Sequence, residues 1–195
     1  LRDAGVGHYN LNFFCHRPPS PDVARAEAWR TMLRPYYEEL GLDVHAPEQG
    51  ASRQPFDAGV ADVVEPFRPA VISFHFGLPD EGLLQRVRAW GSKVFGCATT
   101  VAEAKWLAER GVDAVIAQGA EAGGHRGLFL GTDISTQIGT FALVPQIVQA
   151  VDVPVIAAGG IADQRGVEAA LRLGASAVQV GTAYLLPDEP VTGAL

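Results

Sequence analysis

Asp113-Ala114-Val115-Ile116-Ala117-Gln118-Gly119-Ala120-Glu121-Ala122-Gly123-Gly124-His125-Arg126-Gly127 is an apolar run that passes directly into a glycine-rich loop carrying a histidine. A short apolar run with no polar alternation reads as a strand covered on both faces, the habit of a parallel sheet. Its glycines let backbone come close to a flat or anionic ligand, and the imidazole of His125 titrates near neutrality. The pattern recurs downstream. Pro154-Val155-Ile156-Ala157-Ala158-Gly159-Gly160-Ile161-Ala162-Asp163 is a strand ending in paired glycines, with Asp163 placed to cap a helix. Ala177-Val178-Gln179-Val180-Gly181-Thr182 repeats it one unit later.

Working outward, apolar runs alternate with helical patterns through most of the chain. Strands are expected near Asn10 to Phe14, Ala70 to His75, Lys93 to Cys97, Ala114 to Ala117, Val155 to Ala158 and Ala177 to Val180. Thr100 and Glu103 form a capping box, Ala104, Leu107 and Ala108 supply a helical apolar face, and Gly111 ends that helix. Ser20 to Leu40 opens like a helix, with Ser20 as cap and Pro21 in the first turn; Pro35 should kink or interrupt it, and Gly41 ends it. Pro47 to Pro55 reads as a flexible surface loop.

Alternation alone does not separate an open doubly wound sheet from a closed (β/α)8 barrel. No G-x-G-x-x-G follows a strand, whereas glycine clusters follow the last three, and barrels bind phosphate with the loops after strands seven and eight. The expectation is therefore an α/β TIM barrel. A full barrel needs eight strands and typically about 250 residues, so six strands in 195 residues imply a fragment lacking roughly the first two β/α units. Residues 1–195 are expected to form a single barrel domain, in part.

The composition, 48% hydrophobic and 19% charged, argues against disorder. A formal net charge of −7, with fifteen Lys and Arg scattered singly, argues against a nucleic-acid surface and for small-molecule chemistry. Two cysteines, Cys15 and Cys97, both beside apolar strands, read as buried thiols in a reducing cytoplasm rather than a disulfide framework. No run of about 18 apolar residues exists, so no spanning helix is expected. No spacing of His, Cys, Asp or Glu makes a metal site, and no serine nucleophile elbow occurs.

Backbone N–H groups of Gly159, Gly160, Gly181 and Thr182 are candidates to converge on a phosphate beside a helix amino terminus. His125, on a loop between Gly124 and Arg126, is the candidate general base for removing a proton from carbon next to an electron-withdrawing group. Gln118 and Asn12, at strand ends, both donate and accept hydrogen bonds; they face a polar ring edge or satisfy local backbone. His75 and His16 favour packing or support, while His8 and His45 read as exposed. Arg126 assists substrate, pairs with Glu121 or is solvated.

Together these stretches resemble the class I nitronate monooxygenase family. The resemblance is strongest across Ala117 to Gly127, Ala157 to Asp163 and Gln179 to Leu185, with Asn12-Phe13-Phe14 and Ser73-Phe74-His75-Phe76-Gly77-Leu78-Pro79 in support. It implies an FMN-binding β/α barrel that oxidises alkyl nitronates, and possible nitroalkane substrates, with molecular oxygen. It also implies that Asn12, Gln118, Gly123, Gly160 and the Gln179, Val180, Gly181, Thr182 segment contact FMN, with His125 as catalytic base. The partners implied are a small-molecule nitronate or nitroalkane and oxygen, with no nucleic acid and no membrane; the oligomeric state stays open. Two alternatives remain. A flavin-dependent enoyl-acyl carrier protein reductase is similar across the Glu121 to His125 and Ala158 to Asp163 stretches, although Gly131 to Thr140, Asn12 and His75 favour the monooxygenase. A catalytically silent FMN-binding module is the other.

Overall fold

The computed structural model describes residues 7–18, 20, 22–46 and 54–185. The chain divides into two compact units, residues 17–54 and the remainder on either side of them.

The larger unit is built on six strands: β1 (Asn10–Phe14), β2 (Val71–His75), β3 (Lys93–Ala98), β4 (Ala114–Gln118), β5 (Val155–Ala158) and β6 (Ala177–Gln179). All pair in parallel and in chain order, giving a curled α/β half-barrel. Each expected strand is present, with ends that move by one residue at most. The connections are α2 (Ala58–Val64), α3 (Glu81–Ala89), α4 (Val101–Glu109), α5 (Thr140–Val148) and α6 (Gln164–Arg172). Asp57, Asp80, Thr100 and Asp163 cap four of these helices by accepting an N–H from three residues ahead.

Strand parity sorts the side chains. On one face, Ile72, Phe74, Val94, Val115, Ala117, Val155 and Ala157 pack with Leu84, Val87, Ala104, Leu107, Leu143, Val144 and Ile147 of the helices, forming the main core. Gly96 lies in this layer because a Cβ there would come within 2.7 Å of Leu107. On the other, concave face, Cys97, Ile116 and Ala158 form a small buried cluster flanked by Phe95 and Ile156. Removing apolar surface from water on both faces explains why these strands read as continuous hydrophobic runs.

The smaller unit carries α1 (Val23–Glu39). Its cap is Asp22, which accepts from Arg25 N–H at 2.9 Å, and not Ser20: the helix begins later than expected because Asp22 itself supplies the acceptor. Pro35 sits inside the helix without interrupting it, since the lost hydrogen bond is local and the turns beyond continue to Glu39. Gly41, at φ +66°, follows its end as expected. Pro21 and the Pro47–Arg53 part of the expected loop lie outside the described residues.

Candidate active site

Because the strands are parallel, their carboxyl ends share one edge. Pairing there sets Asn12 beside Ser73, Phe14 beside His75, and Gln118 beside Ala158, which in turn adjoins Gln179. Apart from Ser73, these residues, together with the loops after β4, β5 and β6, line a cavity of about 660 Å³. Asn12, Gln118, Gly123, His125, Gly159, Gly160, Gln179, Gly181 and Thr182 all line it. Val180 is different: its side chain packs against the main core.

Gln118 acts as a template for the histidine loop. Its Nε2 donates to the His125 carbonyl at 2.8 Å, and its Oε1 accepts from Gly127 N–H at 2.7 Å. His75 Nε2 lies 3.0 Å from the same carbonyl. A carbonyl only accepts, so His75 carries its proton on Nε2. Burial lowers the His75 pKa, partly opposed by this hydrogen bond. Gly127 allows the close approach, since a Cβ there would lie 2.9 Å from Cys97 Sγ and 3.0 Å from His75 Cε1. The His125 ring is set 5.0 Å from Phe14 and 6.1 Å from Phe76, centroid to centroid, and faces the open cavity. Phe76 adopts φ +67°, a conformation uncommon outside glycine, which marks this wall as held under local constraint. His16 meets Phe14 and Phe76 edge-on and does not line the cavity; His8 and His45 are exposed.

Asn12 Oδ1 accepts from Ser73 Oγ at 2.8 Å, and Ser73 Oγ accepts from Asn10 Nδ2 at 2.8 Å. This leaves the Asn12 Nδ2 donors without a partner among the described residues. Two glycine turns, after β5 and β6, also line the cavity. Gly159 and Gly160 take φ values of +122° and +67°. Among the described residues, no acceptor takes the backbone N–H of Gly160, Ile161, Gly181 or Thr182. A Cβ on Gly181 would meet nothing within 4 Å, so the space beside it is open. Gly123 brings the histidine loop onto the last turn, its Cβ position lying 2.6 Å from Thr182 Oγ1. Unpaired N–H donors facing open space suit an anionic, phosphate-bearing ligand.

Two carboxylates tie this scaffold together, in roles that no local motif around them predicts. Glu121 Oε2 accepts from Thr140 N–H at 2.8 Å and lies 2.9 Å from Thr140 Oγ1, so it caps α5 from a distant loop. The residue at the cap position is Gly139, which has no side chain to do so, and that was the available signal. Burial pushes the Glu121 carboxyl up, but hydrogen bonds from its own N–H and from Thr140, with the nearby Arg126 charge, hold it below the usual carboxylate range. Arg126 makes its hydrogen bond to the Ala122 carbonyl, at 2.6 Å.

Glu103 corrects the expected capping box. Its N–H donates to Thr100 Oγ1 at 3.2 Å as the motif requires, but its carboxylate does not return to Thr100. It accepts instead from Thr99 and from the backbone of Phe129 and Leu130. Cys97 lines the cavity, yet burial pushes its thiol up to about 12, which argues against a thiolate nucleophile. No group of three potential metal ligands occurs among the described residues, and no helix there is long and apolar enough to cross a membrane.

A family profile described as nitronate monooxygenase matches residues 8–194. The nitronate monooxygenase of Pseudomonas aeruginosa is 44% identical over 182 residues, which cover 93% of this chain and 52% of that protein. Among solved structures, the nitroalkane oxidase of Streptomyces ansochromogenes superposes with a TM-score of 0.79 at 35% identity, covering 96% of this chain and 54% of the other. An M276A mutant of FabK from Thermotoga maritima gives a TM-score of 0.59 at 33% identity, over 80% of this chain and 50% of the other. The chain thus spans about half the length of the curated relatives it matches.

Proposed function

This chain belongs to the nitronate monooxygenase family, and from that membership we propose that it binds FMN and carries out oxidative denitrification of alkyl nitronates with molecular oxygen. The observation that carries the reading is one cavity lined by two chemically distinct sets of groups. Unpaired N–H groups of Gly160, Ile161, Gly181 and Thr182 belong to the two glycine turns that line it, and His125 lines it from the loop after β4. FMN, when bound, supplies the electron-accepting chemistry that allows oxygen to convert a nitronate to a carbonyl product.

The protein's part is binding, orientation and proton transfer. The two glycine turns hold the phosphate, with Gly159 shaping the first of them. Asn12 Nδ2 and the Gln179 side chain supply polar contacts along the cavity. Gln118 contributes chiefly by positioning the His125 loop, since its amide is occupied by that backbone. Val180 contributes through its backbone alone. His125 removes the proton from the carbon bearing the nitro group when a neutral nitroalkane is the substrate; a nitronate arrives already without it. Residues 1–195 act as one FMN-binding domain, in a cytoplasmic setting where both thiols stay free.

His125→Asn tests this directly. General-base loss typically costs about 10²- to 10⁴-fold, so nitroalkane turnover should fall by that order while nitronate turnover holds within a few-fold. Equal loss on both substrates overturns the base assignment, and nitronate-dependent oxygen uptake that is absent with FMN bound leaves a silent module instead. The second reading, a flavin-dependent enoyl-acyl carrier protein reductase, is supported by the Glu121 to His125 and Ala158 to Asp163 stretches. NADH oxidation coupled to reduction of a crotonyl thioester would establish it in place of the first.

A further inference from the structure

Glu103 lies in the first turn of α4 and has no exposed surface. Among the described residues it forms no ion pair. Its two oxygens share four donors instead. One accepts the N–H and the hydroxyl of Thr99, each at 2.8 Å; the other accepts the backbone N–H of Phe129 at 2.6 Å and of Leu130 at 3.1 Å. Hydrogen bonds to an ionised carboxylate are roughly twice as strong as neutral ones, and a buried carboxylate without them is costly. Such a group has few alternative resting places, which makes it an effective anchor.

The pair of bonds to Phe129 and Leu130 is the informative half, because it reaches across the fold to the loop that carries His125. Two residues before Phe129, Gly127 N–H is held by Gln118, and the other end of that same amide holds the His125 carbonyl. The Phe129 ring is itself seated, edge-on to Trp106 at 5.0 Å and so near Gly77 that a Cβ there would lie 3.3 Å from it. Helix α4 therefore grips the loop through a side-chain carboxylate and an aromatic contact. Glu103 does not line the cavity.

We propose that Glu103 is a positioning residue for His125: by clasping the backbone at Phe129 and Leu130 it keeps the 125–127 segment seated on Gln118 and His75, and so fixes the imidazole over the cavity. The inference rests on the reading of His125 as the base for nitroalkanes. Glutamine replaces the carboxylate only in part: its single acceptor oxygen serves one pair of donors, and its NH₂ faces either the Thr99 N–H, with the Thr99 hydroxyl able to turn and accept, or the two loop N–H groups. Thr99→Val is the matched control, removing one donor to Glu103 while leaving both loop bonds in place.

The test uses the chain with FMN bound and compares turnover of a neutral nitroalkane with that of its preformed nitronate, alongside amide hydrogen exchange of the loop. In Glu103→Gln, exchange at Phe129 and Leu130 should accelerate, nitroalkane turnover should fall about ten-fold or more through misplacement of the base, and nitronate turnover should hold within about two-fold. Thr99→Val should leave the ratio of the two activities unchanged. A Glu103→Gln protein that keeps the wild-type ratio despite faster loop exchange overturns the proposal; where exchange is unchanged, Glu103→Leu, which has no acceptor, is read in the same way, and an unchanged ratio there overturns it. If His125→Asn also keeps that ratio, it is the base reading that has failed, and the exchange data still report whether the clasp exists. Should Glu103→Gln not fold, the wild-type protein decides: slow exchange of the Phe129 and Leu130 amides supports the clasp, and free exchange of both overturns it.

Discussion

At the scale of single residues, the Gln118 amide and the His75 ring are committed to backbone of the His125 loop. His75 shows this: burial lowers its pKa, and its Nε2 proton is committed to the His125 carbonyl. The unfolded chain takes up a second ring proton, on Nδ1, near the ordinary pH of about 6.5, while the folded chain resists it. Stability should therefore fall as the pH drops below about 6.5 and level off once the folded imidazole also charges. Urea unfolding at several pH values checks this, and His75→Gln, which keeps an N–H donor without the titration, should flatten the slope relative to wild type. Gly181 offers a second test. Its Cβ position is open on the protein side, so Gly181→Ala should leave the stability of the FMN-free chain unchanged while weakening FMN affinity, read by flavin fluorescence quenching. Loss of stability without loss of affinity would show that the turn serves the fold alone. Among these residues, His125 and the glycines were legible in the sequence because their types are unusual for a core strand end. The occupation of Gln118 by backbone was not, since an amide's partners depend on where a loop returns.

At the scale of elements, caps decide where helices begin, and their reading from sequence depended on how far away the acceptor lay. Asp163 sits beside the helix it caps, and its bond to Gly166 N–H at 2.9 Å follows from local spacing. Asp163→Ala should cost about 1 kcal/mol, measured by denaturant midpoint, with the effect centred on α6. Helix α5 has Gly139 at its cap and borrows the carboxylate of Glu121, nineteen residues earlier. No local motif describes that bond. The folded Glu121 carboxyl titrates below its ordinary range, so its contribution is present above about pH 4.3 and is lost as the pH falls through the depressed value. In Glu121→Gln, hydrogen exchange in the first turn of α5 should rise at neutral pH and lose its further rise in acid. Unchanged exchange would assign the capping elsewhere. The same distinction separates the two halves of the Thr100–Glu103 box: the backbone half is local and held, while the carboxylate half turned to a partner 26 residues away.

At the scale of the whole molecule, ligand binding and folding should be linked. A ligand that binds the folded chain alone adds about 2.7 kcal/mol of stability at a hundred times its dissociation constant. Thermal unfolding should therefore shift upward with FMN concentration, and riboflavin, which lacks the phosphate, should shift it less if the two glycine turns hold that group. Identical shifts would remove the phosphate role from Gly160, Ile161, Gly181 and Thr182. The sequence by itself determined the strand positions, their parallel order with intervening helices, the glycine turns and the loop histidine, because hydrophobic period and glycine placement are constraints that each segment meets alone. Tertiary contacts alone settled that Gln118 faces loop backbone, that Val180 turns into the core, and that Glu103 and Glu121 tie the His125 loop to α4 and α5. The two carboxylates find their partners across 19 and 26 residues, and Gln118 meets backbone only because the loop after β4 folds back onto it. A buried carboxylate takes whichever N–H donors the folded chain presents, and the sequence around it does not say which those are.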